Sequence, residues 1–467
     1  MTNFSKIGFI MATLGSSIGL GHIWRFPTMA GENGGAAFIL LFIVISVAVG
    51  VSMLIAEMLV GNRTQKNAQD AFYELDESSH KKWHWVGFTI IGGPIILTFY
   101  CVVLGWVVYY FGMVSFHLPQ NLVDSKALFD SLTNNFTAQI ISFAIVVILT
   151  AYFVSKGVKS GIERLNFILM PLLFIIFFGL LIYAMTLKSF GTSVSFMFAL
   201  DFYKITPKVL IDAMGQVFFS LSLGIGIIVT YAAFTEKKQN LFSSAMWVLI
   251  PGIIISIVAG LMIFTFVFEY GSEDDVKDGV GLIFKVLPVL FGKMGSMGSL
   301  ICVLFMIGLG FAGLSSTISL LEPAVKWLED KTNKDRVMLT WAVSFAIFLV
   351  GSVLILSLSE EHKELTIAGK SLFSWMDWLS ANIIMTIGGL LATIFVGYAI
   401  KTEHLREWTQ HYFTPIMFGF WLFAIRILAP LMVSAIFIYN IYDLAKPKKE
   451  EPQQVEQSKI QKQEVKK

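Results

Sequence analysis

Two short strings of small residues decide how this chain folds: Ser17-Ile-Gly-Leu-Gly21 in the first long apolar segment and Ser222-Leu-Gly-Ile-Gly226 in the sixth. Two glycines weaken a helix by about 2 kcal/mol relative to alanine, so each string predicts a break that frees backbone carbonyl and amide groups. Small residues also let membrane helices pack closely, which would explain either string alone. The recurrence of Ser-x-Gly-x-Gly at corresponding places favours two broken helices.

The composition around these strings excludes a water-soluble protein. Of the 467 residues, 56% are hydrophobic and 14% are charged, whereas a soluble surface normally needs nearly twice that charge density. The formal net charge of +2 gives no reason to expect nucleic acid as a partner. Cys101 and Cys302 each lie in a long apolar run, so neither a disulfide framework nor a cysteine metal site is expected.

About eleven stretches are apolar enough to cross a lipid bilayer, which requires about 20 residues of helix. Unpaired backbone groups are costly in lipid, so these stretches must be helices. The expected spans are 7–28, 33–56, 86–123, 138–154, 165–187, 207–234, 239–268, 294–321, 337–359, 378–400 and 412–442. The predicted fold class is therefore an all-α polytopic membrane protein with about 11 transmembrane helices.

The two matched breaks suggest an inverted repeat of five plus five helices, with helices 1 and 6 broken. Residues 7–187 would form the first repeat, 207–400 the second and 412–442 an additional helix. Residues 443–467, rich in Lys, Glu and Gln, would form a disordered charged tail. Among the loops, arginine occurs only in alternate ones, which predicts a cytoplasmic N-terminus. With eleven spans, the tail would lie on the non-cytoplasmic side of the membrane, which disagrees with its lysine content. A span count that differs by one therefore stays open.

The residues around the first string resemble a known family. Gly15-Ser-Ser-Ile-Gly-Leu-Gly-His-Ile-Trp-Arg-Phe-Pro27 is similar to the first-span signature of the neurotransmitter:sodium symporter family. Further similar stretches are Glu32-Asn-Gly-Gly-Ala-Ala-Phe38, Gly161-Ile-Glu-Arg164, Gln216-Val-Phe-Phe-Ser-Leu-Ser-Leu-Gly224 and Ala312-Gly-Leu-Ser-Ser-Thr-Ile318. The resemblance covers about residues 6–442. It implies the leucine transporter fold and a sodium-coupled symporter that works by alternating access, not an enzyme.

The resemblance also implies an amino acid site between spans one, three, six and eight. Its substrate-binding residues would be Ser17, Leu20, Gly21, Ile96, Tyr100, Phe219, Ser222, Ile225, Ser316, Ser319 and Leu320. Amides near Gly21 and the Tyr100 hydroxyl would bind the carboxylate, while carbonyls and the Ser222 hydroxyl would accept the ammonium group. Gly19 replaces the aspartate of the amine carriers, which places the sequence with the amino acid branch. The apolar lining favours a hydrophobic or aromatic amino acid.

One of the family's two sodium sites is complete in this sequence. The second site would offer five neutral oxygens, which suit a hard monovalent ion, from Gly15, Ile18, Ala312, Ser315 and Ser316. Hydrogen bonds between helices would explain the two serines without an ion, but the motif favours the ion.

The first sodium site departs from the family pattern. His22 replaces an asparagine and Gly252 replaces a second side-chain ligand, so only Ser220 and the Ser17 carbonyl remain. Imidazole is a poor ligand for sodium, and we expect coupling to one sodium ion. Two roles stay open for His22. A protonated ring would stand in for the ion beside the substrate carboxylate, whereas a neutral ring would hydrogen-bond the broken backbone.

Chloride is not expected as a cofactor, although part of the family's chloride site is present. Gln216, Ser220 and Ser256 match neutral positions of that site, but Phe42 replaces its tyrosine.

Charged residues inside spans are costly, so each one is a candidate functional residue. Arg25 and Asp377 match the family's extracellular gate, although a static pair that ties spans one and ten together is the alternative. Glu57 is expected to accept hydrogen bonds from the unwound backbone of spans one and six. Asp330 matches the inner-gate acid, whose usual arginine partner would precede the first residue. Either the start codon is misassigned or inner closure uses Lys6 or another group.

A second class of function stays open from the sequence alone. The altered ion site and the missing arginine would also suit an amino acid sensor or binding protein with degraded ion coupling. The short loops are typical of a prokaryotic member, which implies a multi-pass protein of the cytoplasmic membrane. The expected partners are a small amino acid and the lipid bilayer; a homodimer stays open.

Overall fold

The computed structural model describes residues 4–78, 80–271, 281–367 and 370–445. Most of them are helical. The α-helices are α1 (Lys6–Ser17), α2 (Phe26–Glu32), α3 (Ala36–Ile45), α4 (Val51–Thr64), α5 (Ala68–Leu75), α6 (Gly92–Tyr109), α7 (Leu122–Asn134), α8 (Phe136–Ser155), α9 (Arg164–Ala184), α10 (Phe190–Phe198), α11 (Pro207–Ser220), α12 (Ile227–Ala232), α13 (Leu241–Tyr270), α14 (Leu287–Lys293), α15 (Gly298–Thr332), α16 (Arg336–Leu356), α17 (Leu372–Leu379), α18 (Met385–Ile394), α19 (Thr402–Thr409), α20 (Pro415–Phe423) and α21 (Ala429–Ala445).

Short stretches of other structure extend or join these helices. Two-residue strands β1 (Thr366–Ile367) and β2 (Lys370–Ser371) pair antiparallel, with Thr366 opposite Ser371. The π-helical and 3₁₀ segments are Gly21–Arg25, Ser46–Gly50, Lys82–Ile91, Tyr110–Val114, Val158–Glu163, Phe202–Lys204, Leu282–Val286, Gly295–Met297, Glu360–Leu365, Ser380–Ile384, Phe395–Ala399 and Ala424–Leu428. Of the tail expected to be disordered, residues 446–467 lie outside the described residues, and 443–445 complete α21.

The described residues form a polytopic membrane protein. Nine helices are long and apolar enough to cross a membrane, or ten if the bent pair Lys6–Ser17 and Gly21–Glu32 is one span. The nine are Ala36–Thr64, Lys82–Val114, Phe136–Ser155, Val158–Met185, Leu241–Tyr270, Gly295–Thr332, Arg336–Leu356, Leu372–Ala399 and Pro415–Tyr442. The expected sixth span is present as α11 and α12, two pieces too short to be counted singly.

The first break lies at the first glycine string. Helix α1 ends before Ile18, whose backbone leaves the helical region at φ −79° and ψ 83°. The chain resumes as a π-helical turn at Gly21–Arg25, and the two halves are bent by 51°. The amide of Ile18 still donates to the carbonyl of Leu14, but the following carbonyl groups have left the helical ladder.

The second break lies at the second string. Between α11 and α12, three residues adopt positive φ: Ser222 at 52°, Gly224 at 82° and Gly226 at 74°. Position 224 needs glycine for space as well as for φ, because an added Cβ would lie 2.2 Å from the carbonyl oxygen of Met385. The unwound segment therefore packs directly on the backbone of α18.

We predict that Gly224→Ala destabilises the protein by at least about 2 kcal/mol, because it adds both a backbone strain and a steric clash. The change should lower the Tm measured by thermal unfolding in detergent. Gly310→Ala is the matched control: it lies in α15, where no atom would lie within 4 Å of the added Cβ. An equal Tm for the two variants would contradict the close approach.

Candidate functional site

A buried cavity lies between the two breaks. Residues of α1, α6, α11, α15, α18 and both unwound segments line it: Ser16, Ser17, Gly19, Gly21, Ile96, Tyr100, Phe219, Ser222, Ile225, Ser316, Leu320 and Met385. None of these side chains is charged. The polar groups are hydroxyls and freed peptide groups, and the rest of the wall is apolar.

The Tyr100 hydroxyl is directed at the first break. It accepts a hydrogen bond of 3.1 Å from the amide of Leu20, so one donor freed by the break is satisfied by α6. Gly19 leaves room for this contact, since an added Cβ would lie 2.8 Å from the Tyr100 oxygen and 2.4 Å from Oγ of Ser316. A side chain at 19 would therefore fill the polar end of the cavity.

The second break reaches the first through a serine. The hydroxyl of Ser222 donates to the carbonyl of Ser16 at 3.1 Å, and its positive φ aims the side chain across the cavity. The Ser16 carbonyl also accepts a long bond of 3.3 Å from Ser316. Hydroxyls of the second unwound segment and of α15 thus share one carbonyl that the first break has freed.

The cavity brings together most residues expected from the sequence, with two exceptions. Leu20 contributes only its amide, and Ser319 faces away, donating to the Ser315 carbonyl at 3.0 Å and accepting from Tyr231 at 2.9 Å. Sequence reasoning missed Ser16 and Met385. No local pattern marks Met385, which reaches the wall because α18 packs on the second break.

The outer wall of the cavity is thin. Phe219 and Met385 line both the cavity and an outer vestibule, so their side chains separate the two spaces. The guanidinium of Arg25 lies over the Phe219 ring, 4.6 Å from its centre. Asp377, Asp212 and Glu32 are near enough to act on the charge of Arg25, but the described contacts include no direct ion pair between Arg25 and Asp377, which the sequence led us to expect. Arg25 therefore covers Phe219 and faces three carboxylates.

Four of the residues expected at the second sodium site meet where α1 packs on α15. Ser315 donates to the Ala312 carbonyl at 2.9 Å, and Ser316 lies 3.4 Å from the Gly15 carbonyl oxygen. Ile18, the fifth, sits at the break itself. All five residues are buried, and the oxygen atoms are neutral. A set of neutral oxygens with two rotatable hydroxyls fits a monovalent hard cation.

His22 is wedged between the first break and α13. The buried ring makes a hydrogen bond with the backbone of Ser17, and its Nδ1 has no partner among the described residues. A Cβ at position 252 would lie 2.9 Å from Nε2, so Gly252 provides the room for the imidazole. The ring therefore occupies space and a carbonyl that the resemblance assigned to the first sodium site.

Gln216 supports the same break from α11. Its amide nitrogen donates to the Gly21 carbonyl at 2.8 Å and to the Ser220 hydroxyl at 2.9 Å. The Gln216 Oε1 and the Ser256 hydroxyl are buried without partners in the described part of the chain. Phe42 is buried against Phe26 and offers no hydroxyl to this group.

Glu57 supports the second break. Its Oε1 accepts a 2.8 Å hydrogen bond from the amide of Gly224, while Oε2 is without a partner among the described residues. The sequence led us to expect bonds to both breaks, and the described contact is to span six. This bond satisfies a peptide donor in the middle of the unwound segment.

At the opposite end of the bundle, Asp330 has two partners. Lys326, one turn earlier in α15, donates to it at 2.6 Å, and Asn67 donates at 2.9 Å. Lys6 takes no part in these contacts. Phe4, which sequence reasoning missed, is buried, with its amide bonded to the Phe234 carbonyl at 3.0 Å and its ring against Tyr231. An aromatic cluster around Phe4 and an intrahelical ion pair pack at this end.

The helix α5 is tied to the same end of α15. Burial opposes ionisation of Asp70, but hydrogen bonds from Lys331 and Asn67 outweigh it and hold the pKa of the Asp70 carboxyl below its ordinary value. The Lys331 ammonium lies 2.7 Å from Asp70. Asn67 donates to both Asp70 and Asp330, and so links the loop helix to this end of α15.

Three comparisons relate this arrangement to known proteins. The family model described as Sodium:neurotransmitter symporter family matches residues 2–138 and 124–455. An uncharacterised sodium-dependent transporter of Bacillus subtilis, YhdH, is 34% identical over 442 residues, 93% of this chain and 96% of the relative. A sodium-dependent transporter of Haemophilus influenzae, also uncharacterised, is 32% identical over 449 residues, 94% of this chain and 97% of the relative. The crystal structure of MhsT in complex with L-phenylalanine has a TM-score of 0.85 and 32% identity, and covers 94% of this chain and 100% of its own.

We predict that Gly252→Ala destabilises the protein by about 1–3 kcal/mol, because the added methyl group would crowd the His22 ring. In a His22→Ala background the same change should cost little, since the ring is gone. Thermal unfolding of the four proteins gives the double-mutant cycle. Gly215→Ala, with no atom within 4 Å of the added Cβ, is the control. Additive effects at 22 and 252 would refute the contact.

Proposed function

The chain belongs to the sodium:neurotransmitter symporter family, and we propose that it imports a neutral, hydrophobic or aromatic amino acid together with sodium. The observation that carries this proposal is the cavity between the two breaks, which has freed peptide groups at one end and no charged side chain in its wall. A charged substrate side chain would be buried there without a partner, which is costly. The similarity to a solved protein in complex with L-phenylalanine supports the same substrate class.

The two ends of the substrate would use opposite kinds of backbone group. The carboxylate would accept hydrogen bonds from the Tyr100 hydroxyl and from the amides of Leu20 and Gly21, at the start of the second half of span one. The ammonium group would donate to the carbonyls of Ser17 and Phe219 and to the Ser222 hydroxyl. The side chain would lie against Ile96, Ile225, Ser316 and Leu320 on the apolar wall.

Transport would proceed by alternating access. Phe219, covered by Arg25, would close the outer side, with Asp377 as the opposing charge of the gate. The Lys326–Asp330 pair and the aromatic cluster around Phe4 would close the inner side. Residues 7–187 and 207–400 would be the two inverted repeats, with 412–442 as an extra helix, in a cytoplasmic membrane with the N-terminus in the cytoplasm.

One sodium ion would be bound, at the second site. The Gly15, Ile18 and Ala312 carbonyls and the Ser315 and Ser316 hydroxyls supply oxygens for it. The hydrogen bonds of the Ser316 hydroxyl, at 3.3 and 3.4 Å, are longer than ordinary hydroxyl hydrogen bonds. Their length supports a site in which sodium replaces these contacts.

The first site would hold the His22 ring in place of an ion. We propose a neutral ring, since Nδ1 has no partner in the part of the chain that the structure describes and a buried charge would need one. With Phe42 in place of a hydroxyl and Gln216 already bonded to Gly21, chloride would not be required.

L-phenylalanine and similar amino acids should raise the Tm in sodium buffer, whereas L-lysine and L-glutamate should not. Tyr100→Phe should weaken binding about tenfold or more, because it removes a hydrogen bond to the carboxylate. Tyr398→Phe, an exposed tyrosine on another helix, is the control. Sodium-dependent counterflow of labelled substrate in proteoliposomes tests transport itself. Binding without counterflow would support a sensor and reject a transporter.

The Hill coefficient for sodium should be near one, and uptake should be equal at about pH 6 and pH 8 if the ring stays neutral. His22→Asn combined with Gly252→Asn would replace the ring by two amide side chains and should raise the coefficient toward two. Ser315→Ala should raise the sodium concentration for half-maximal uptake about tenfold in either background. A coefficient clearly above one in the unmodified protein, or pH-dependent uptake, would refute the proposed stoichiometry.

A further inference from the structure

Two buried side chains of the fifth span lie against the first half of span one, and each has one oxygen acceptor without a hydrogen-bond donor among the described residues. They are Oδ1 of Asn166 and Oε2 of Glu163, neither of which has a partner among the described residues. Asn166 is fully buried and Glu163 is 6% exposed. Three residues apart, they lie on one side of the segment that joins Val158–Glu163 to α9. Buried acceptors are normally satisfied, so each one calls for a ligand.

Asn166 lies beside the oxygens proposed for the second sodium site. A Cβ built on Gly15 would be 2.0 Å from Oδ1 of Asn166 and 3.2 Å from the Cβ of Ser315. The amide oxygen therefore fills the space left by the missing side chain of Gly15, next to two of the proposed ligand residues.

The orientation of this amide is fixed by its other end. The Asn166 nitrogen donates to the carbonyl of Ile162 at 2.9 Å. A flipped amide would turn its oxygen toward that carbonyl and bring two acceptors together. The oxygen of Asn166 is consequently held toward span one, where a cation or a donor would satisfy it.

Glu163 extends this row of acceptors toward the N-terminal end of α1. A Cβ on Gly8 would lie 2.1 Å from Oε1 of Glu163, so the carboxylate fills the space beside Gly8 as the amide does beside Gly15. Ser5, which is exposed, donates to Oε1 at 2.6 Å. Positions 8 and 15 are about 10 Å apart along a helix. The two side chains thus present acceptors at two positions along α1. The acceptor beside Gly8 is one hydrogen bond away from the exposed Ser5.

We propose that Asn166 and Glu163 form a transient binding site for the sodium ion as it leaves the second site. This inference rests on the proposed function. An ion moving out between span one and span five exchanges oxygens of Gly15 and Ser315 for the Asn166 amide oxygen, and then for the Glu163 carboxylate. Successive weak sites lower the cost of dehydration at each step while leaving the ion free to depart. The glycines at 8 and 15 give the acceptors direct access to the backbone of span one.

The test compares equilibrium binding with transport. Asn166→Leu keeps the shape and removes the oxygen, and Glu163→Gln keeps the shape and removes the charge. In each variant, sodium-dependent substrate binding in detergent should change less than about twofold, because the resident ligands are intact. Sodium-driven net uptake into proteoliposomes should slow about tenfold, because release is impaired. Asn166→Asp, which keeps an oxygen, should retain more uptake than Asn166→Leu.

Ser344→Ala is the matched control, since Ser344 is also buried, with a hydroxyl that has no partner among the described residues, but lies in α16, which packs on α6 and α8. It should bind and transport like the unmodified protein. Wild-type uptake rates in Asn166→Leu and Glu163→Gln would show that water alone occupies the acceptors and would overturn the proposal. Loss of sodium-dependent binding in Asn166→Leu would also overturn it, by making Asn166 a resident ligand. Failure of the proposed function is distinct, because the unmodified protein would then show no sodium-dependent uptake.

Discussion

Peptide groups freed inside an apolar bundle must find partners, and this requirement organises the centre of the molecule. Each break leaves donors and acceptors that lipid and apolar side chains cannot satisfy. The Leu20 amide is bonded to Tyr100, the Gly224 amide to Glu57, and the Gly21 carbonyl to Gln216. These partners come from three different helices, so the unwound segments fix the relative positions of the bundle around them. The cavity lies where the hydrogen bonding of these freed peptide groups is incomplete.

The quality of those bonds separates scaffold from binding groups. Glu57 and Gln216 bond the backbone at 2.8 Å, within the ordinary range, and do not line the cavity. Ser316 reaches its two carbonyls only at 3.3 and 3.4 Å. Long hydroxyl bonds cost little to break, so a ligand that offers better geometry replaces them. The short bonds keep the two segments unwound. The long bonds mark the carbonyl groups for which the proposed substrate and ion would compete with the Ser316 hydroxyl.

The sequence predicts the breaks because glycine strings act locally, whereas the cavity wall depends on packing between distant segments. Ser319 was expected in the wall, yet helical periodicity puts it on the side of Ser315, while Ser316 and Leu320, four residues apart, face the cavity. Met385 enters the wall because α18 packs on Gly224. Lys326, the partner of Asp330, carries a recognisable signal, a lysine and an aspartate four residues apart on one helix. Asn166 has none, because one asparagine in an apolar segment does not reveal which glycine it faces.

Two departures from the family pattern turn out to be one structural change. His22 and Gly252 lie far apart in the sequence, but the imidazole occupies the space that a side chain at 252 would need. A larger group at 22 requires a smaller one at 252, so packing density is kept while oxygen ligands are lost. The hydrogen bond from the ring to Ser17 takes over a carbonyl that the ion would have used. The neutral ring that we propose would be part of the chain in every state of the transport cycle, so it would couple transport to no ion gradient. A bound ion drives transport only when it dissociates, so on this proposal His22 would replace that contribution by permanent support of the break.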